Sequence, residues 1–176
     1  MFLHQKFGYT AKFVTEETFK EVEEAFNVCA PLYTGFDTET DSLNHMQGRP
    51  FLVTFGFGNF VCAFEPTPNL LNRMYILMRR AQLNFAQNVQ YDHHMLENFG
   101  SKIPEYIPLA DNMTVARLTA FSDDMTRLGL EALGQEYVDP TAKEAGHEIK
   151  FHLNAQNKSA RFFLKSKFAE KFPKVP

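Results

Sequence analysis

Two runs rich in β-branched and aromatic residues, "FLVTFGF" (51–57) and "FVCAF" (60–64), stand only two residues apart, and those two are Gly58-Asn59. Glycine and asparagine accept the positive φ angles of a two-residue turn, so this spacing predicts an antiparallel hairpin. A third run, "LYTGFDTE" (32–39), precedes it and supplies a neighbouring strand. Helical and strand patterns then alternate. "TEETFKEVEEAF" (15–26) places Phe19, Val22 and Phe26 on one helical face, with Thr15 as the expected N-cap. Beyond Pro66 and Pro68, "NLLNRMYILMRRA" (69–81) repeats Leu70, Met74, Leu77 and Ala81 at helical spacing. "LNFAQNV" (83–89) reads as a short strand, "YDHHMLENFG" (91–100) as a helix closed by Gly100, and "IPEYIP" (103–108) as a loop. "DNMTVARLTAF" (111–121) and "TRLGLEALGQEYV" (126–138) read as two more helices, the second starting between Asp123 and Thr126. Adjacent strands followed by alternating elements imply an α/β fold, a mixed sheet flanked by helices.

The chain has 176 residues, enough for one domain with a sizeable core, so residues 1–176 are expected to form a single domain. Its composition, 44% hydrophobic and 22% charged, is that of a folded globular chain rather than a disordered one. No apolar run reaches membrane-spanning length, and "MFLHQKFGYTAKF" lacks the apolar stretch and cleavage site of a signal peptide. Cys29 and Cys62 share no metal-type spacing and read as reduced thiols. These features lead to the expectation of no membrane partner and a cytoplasmic location, host cytoplasm included.

The small net charge of −3 conceals an uneven distribution: residues 150–176 carry +6 and residues 1–149 carry −9. Phe151, Phe162, Phe163, Phe168 and Phe172 interleave with the basic residues of that tail. Basic and aromatic side chains together suit a nucleic-acid strand. An amphipathic helix with phenylalanines inward and lysines in solvent explains the same pattern and is the preferred reading.

The acidic triplet Asp37-Thr38-Glu39 ends the first of the three strands. Residues two apart on a strand share a face, so Asp37 and Glu39 project together. Desolvated carboxylates of like charge are costly unless a cation lies between them. Magnesium suits such a pair, because it takes a few carboxylate oxygens and leaves its other positions to water and phosphate. Asp92, at the start of a later helix, offers a third carboxylate. Asp41, Asp123 and Asp124 read as turn or capping residues, and His93 and His94 as ordinary surface histidines.

"GFDTETDSLN" and "AQNVQYDHHML" resemble the first and second exonuclease motifs of the proofreading domain of family A, polymerase I-like DNA polymerases. That domain belongs to the DEDD group, with an RNase H-like fold. "ADNMTVARLTAFSDDMTRLGLEALGQEYV" is similar to the segment that follows, and the resemblance covers roughly residues 10–140. It implies a DEDD exonuclease fold and two divalent ions, Mg2+ or Mn2+, held by Asp37, Glu39 and Asp92 as the catalytic carboxylates. It implies that Leu43 is an apolar wedge against the terminal base. Thr38, Gln87, Asn88, Tyr91 and Met113 would contact the last nucleotides of a single-stranded DNA 3′ end. The implied reaction is hydrolysis of that end to nucleoside 5′-monophosphates.

One departure matters. The family's third motif, Tyr-x-x-x-Asp on a helix, does not follow Tyr137, and Asp139 comes too soon after the Gly-Leu helix to supply it. The C-terminal part of the fold is therefore expected to be incomplete, with the fourth carboxylate supplied by a missing C-terminal segment or polymerase domain in another chain. His147 and His152 are poor substitutes, since histidine is a weak ligand for magnesium. A non-catalytic module that binds single strands or a polymerase subunit is the alternative.

Overall fold

The computed structural model describes residues 2–3, 9–42, 44, 46–119 and 129–137. The chain divides into two compact units, Met1–Asp123 and Asp124–Pro176. In the first, seven strands form one mixed sheet: β1 (Phe2–Leu3), β2 (Thr10–Phe13), β3 (Tyr33–Thr40), β4 (Pro50–Phe57), β5 (Phe60–Phe64), β6 (Leu83–Ala86) and β7 (Leu109–Asp111). Helices α1 (Lys20–Cys29), α2 (Pro68–Met78), α3 (Val89–Asn98) and α4 (Asn112–Thr119) belong to the same unit, and α5 (Leu130–Tyr137) lies in the second. The strand order is β1-β2-β5-β4-β3-β6-β7. β3, β4 and β5 form an antiparallel meander, whereas β2 joins β5, β6 joins β3 and β7 joins β6 in parallel.

The hairpin turns at Gly58, whose φ is +51°. Alternation along the strands sends Phe36, Val53, Phe55, Phe57, Cys62 and Phe64 into the core. They meet Val22 and Phe26 of α1 and Leu70, Leu71, Met74, Leu77 and Met78 of α2 in one buried cluster. Each such side chain contributes about 1.5–3 kcal/mol by leaving water. Phe26 and Phe57 meet edge to face with centroids 5.1 Å apart, and Phe19 and Phe64 do so at 5.7 Å.

The other face carries Gly35 and Asp37 of β3, Thr54 and Gly56 of β4, and Val61 of β5, which line an open groove of about 420 Å³ together with Tyr33. Gly35 and Gly56 are directly paired, and Asp37 pairs with Thr54 in the next same-face position. The β3–β4 ladder is irregular at its end: Glu39 pairs with Leu52 but Thr40 with Pro50, so Phe51 is an extra residue.

Four expectations change. The first helix starts at Lys20, not near Thr15, because Thr15 and Thr18 spend their groups on a turn of their own: the Thr15 N–H donates to Thr18 Oγ1 at 2.9 Å. β1 and β2, short strands at one side of the sheet, are not evident from pattern. β7 occupies Leu109–Asp111 where only a loop and a helix start were expected. The helix expected from residues 126–138 appears as Leu130–Tyr137. The basic tail 150–176, Asp123, Asp124, Asp139, His147 and His152 lie outside the described residues.

Candidate active site

The site is built where β6 stops. β6 pairs with β3 only along Tyr33–Gly35, so the Thr38 N–H further on has no strand partner there. Asn88, in the left-handed conformation (φ 56°, ψ 53°), turns the chain from β6 into α3. The first turn of α3 carries Asp92 into the gap. Its Oδ1 accepts the Thr38 N–H at 3.0 Å and the Thr38 hydroxyl at 2.6 Å. Asp92 is 1% exposed and Thr38 is also buried, so one carboxylate oxygen is fixed by two donors inside the protein.

Asp37 and Glu39 project from the opposite face of β3 at the same strand end, as the two-residue period requires. Partial burial raises the Asp37 carboxyl above its usual range, and the Glu39 charge adds to that rise. Asp92 is raised to about 6, chiefly by burial and also by the Asp37 charge, against the pull of the Thr38 hydrogen bonds. Asp37 is thus the electrostatic neighbour of both Glu39 and Asp92. The three carboxylates are not drawn onto one point: among the described residues, the trio whose donor atoms all lie within 4.8 Å of one another is His93, His94 and Glu97. The donor set at Asp37, Glu39 and Asp92 is all oxygen and under-compensated in charge, which fits a hard divalent cation such as Mg2+ or Mn2+.

The remaining sequence-derived residues sort differently. Asn88 is exposed, and its N–H donates to Asp111 Oδ1 at 2.8 Å. The same oxygen accepts the Met113 N–H at 3.0 Å, and Oδ2 accepts the Thr114 hydroxyl at 3.1 Å. Asp111 therefore caps α4 and ties Asn88 to half-buried Met113. Sequence reading passed over it, although an aspartate directly before a helical pattern is an N-cap signal. Gln87 lies half-buried between Ala86 and Asn88. Leu43 is outside the described residues.

Tyr91 serves the protein's own frame. Its hydroxyl donates to the Ser42 carbonyl at 2.9 Å and lies 2.6 Å from Thr40 Oγ1. It thereby pins the segment after β3 to α3, and Thr40 and Ser42 join the site's support. Asp41 accepts the Arg49 N–H at 2.8 Å, as expected of a turn residue. Gly48 completes the turn, since a Cβ there would stand 2.7 Å from the Ser42 carbonyl oxygen. Tyr91→Phe is expected to cost about 1 kcal/mol, the usual worth of such a hydrogen bond. Chemical denaturation measures this, and unchanged stability would mean the hydroxyl braces nothing.

The model of the 3′-5′ exonuclease family matches residues 10–165, and the chain belongs to that family. Its fold is that of the DEDD, RNase H-like exonucleases. RNase D of Escherichia coli, described as an exoribonuclease involved in structured RNA processing, superposes with a TM-score of 0.55 at 19% identity. That match covers 72% of this chain and 32% of RNase D. Brucella melitensis NrnC with bound Mg2+ superposes with a TM-score of 0.53 at 16% identity, covering 92% of this chain and 87% of that one. The NrnC structure bound to pGG gives 0.51 at 19% identity, and the match spans 59% of its length. No curated protein matches the sequence. Among the described residues, no helix is long and apolar enough to cross a membrane.

Proposed function

We propose that this chain is a cytoplasmic, magnesium-dependent 3′-5′ exonuclease module that shortens single-stranded DNA ends, as the proofreading part of a family A DNA polymerase. The observation that carries this reading is Asp92, clamped through Oδ1 by both Thr38 donors beside Asp37 and Glu39. A purely structural aspartate gains nothing from being buried next to a second carboxylate; a metal ligand does. Asp37, Glu39 and Asp92 would hold two divalent ions, which supply an activated water and charge neutralisation at the departing 3′-oxygen. Thr38 fixes the direction of Asp92, and the Tyr91–Ser42–Thr40 contacts fix the strand end from which Glu39 projects. Asn88 and Met113, tied together by Asp111, would hold the terminal nucleotides by contacts that do not read sequence.

The described carboxylates number three, and no Tyr-x-x-x-Asp follows Tyr137 in the sequence. We propose that the fourth ligand comes from a Tyr-x-x-x-Asp segment outside these 176 residues, whether on the same polypeptide or on another. That same absence favours the second reading, a non-catalytic module that binds single strands or a polymerase subunit.

The test uses labelled single-stranded DNA and RNA oligonucleotides with Mg2+. The chain alone is expected to release little or no mononucleotide. Addition of a polypeptide bearing the Tyr-x-x-x-Asp helix restores release from DNA, and Asp37→Ala abolishes it. Robust, Asp37-dependent cleavage by the chain alone would refute the need for a ligand in trans. Binding without cleavage in every mixture would support the second reading, and cleavage of RNA but not DNA would overturn the substrate.

A further inference from the structure

We propose that His93, His94 and Glu97 on α3 form a binding site for a late-transition divalent cation of the Zn2+ class, separate from the carboxylate site. Glu97 follows His93 by four residues and His94 by three, so one carboxylate lies beneath both imidazoles. Glu97 Oε2 stands 3.6 Å from His93 Nδ1 and 3.5 Å from His94 Nδ1. Both separations are too long for a hydrogen bond. These two separations match the edge of a tetrahedron, about 3.4 Å between ligand atoms when metal–ligand bonds are about 2.0–2.1 Å. The third edge, between the two nitrogens, is bounded by the 4.8 Å within which all three donor atoms lie. The ring centroids are 6.3 Å apart, wider than the roughly 5 Å of two imidazoles on one tetrahedral ion, so the exposed His94 ring turns inward when the ion binds.

A solvated ion pair is the plain alternative. It would draw a ring N–H to about 2.7–2.9 Å of the carboxylate, and exposed pairs of that kind add little. The observed geometry holds two nitrogens around one oxygen at nearly equal distance, which a single hydrogen bond does not explain. The His93, His94 and Glu97 side chains are 28%, 54% and 36% exposed, so an ion reaches them from solvent and a water completes its shell. Two imidazoles and a carboxylate favour Zn2+, Cu2+ or Ni2+ over Mg2+, whereas Asp37, Glu39 and Asp92 have the opposite preference. Helix α3 thus contributes Asp92 to one donor set and all three ligands to the other, and the two sets select different ions.

The experiment is titration of the full chain with ZnCl2 in excess Mg2+, followed by calorimetry and by the visible absorption of a Co2+ substitute. One ion is expected to bind with a tetrahedral-type Co2+ spectrum, and the Asp37→Asn/Asp92→Asn double variant should bind it equally well. His94→Gln and Glu97→Gln should each weaken binding about 10-fold or more, since even outer supporting groups of metal sites are worth that much. Circular dichroism confirms that these surface variants fold. Absence of Zn2+ binding, unchanged affinity in both His94→Gln and Glu97→Gln, or loss of the ion in the aspartate double variant would each overturn the site.

Discussion

Asp92→Asn is expected to make the protein more stable at neutral pH while removing a carboxylate that the proposed hydrolysis would require. The folded chain holds the Asp92 carboxyl at about 6, against an ordinary value of 3.8. Between those values the folded state keeps a proton that the unfolded chain has released, so stability falls as pH rises. The favourable contribution is complete below 3.8 and lost once pH passes about 6. Ionising Asp92 in place therefore costs about 3 kcal/mol above that range. An asparagine keeps an oxygen for the two Thr38 donors and carries no charge, but its amide needs a partner. The net gain at pH 7.5 is expected to be about 1–2 kcal/mol, near zero at pH 4. Urea denaturation from pH 4 to 8, without divalent ions, measures the difference. A variant less stable than the parent at pH 7.5, with an unaltered pH slope, would show that Asp92 is well compensated by the protein alone. Mg2+ should stabilise the parent at pH 7.5 and not the variant.

The second large effect concerns Thr38→Val. This change keeps the buried shape but deletes the hydroxyl that lies 2.6 Å from Asp92 Oδ1. A hydrogen bond to a charged partner is worth about 1.5–3 kcal/mol, so the loss should approach that size above pH 6 and shrink below pH 4, where Asp92 is neutral. Because Thr38 holds Asp92 down, its removal also moves the carboxyl further up, and under the proposed function the pH at which 3′-end hydrolysis sets in should move up with it. Thr38→Ser returns the hydroxyl and should return both properties. Equal behaviour of the valine and serine variants would reduce Thr38 to a packing residue.

How far the sequence reaches can be judged from these same residues. The strands β3, β4 and β5 and the helices α2 and α3 follow directly from apolar period and turn chemistry, because tertiary packing reinforces the local preference there. β2 and β7 were not legible, since such short strands have few positions for a period and depend on a partner strand; β6 is no longer than β2 but stands out between two helical patterns. The start of α1 moved because threonine side chains compete with the helix for backbone donors. Within the site, Asp37 and Glu39 on one face follow from the strand alone. The coupling of Asp92 to Thr38 spans 54 residues, and nothing local announces it. Tyr91 illustrates the limit most clearly: the family resemblance implies a nucleotide contact for it, and no local pattern announces that its hydroxyl is engaged by Ser42 and Thr40.

The extra residue at Phe51 separates two kinds of stability in one strand pair. Up to Glu39 the β3–β4 ladder is regular, and its neighbours are fixed by the alternation of the whole sheet. Past it, the bulge adds twist and releases the strand end from that common register, so that α3 can take hold of the chain through Tyr91. The sheet and the helix therefore answer for different halves of the same carboxylate motif. Deleting Phe51 would mend the ladder, lengthen the regular sheet and carry Thr40 away from its hydroxyl partner. A tidier scaffold would be a poorer site, and an engineer seeking robustness should leave that irregularity alone.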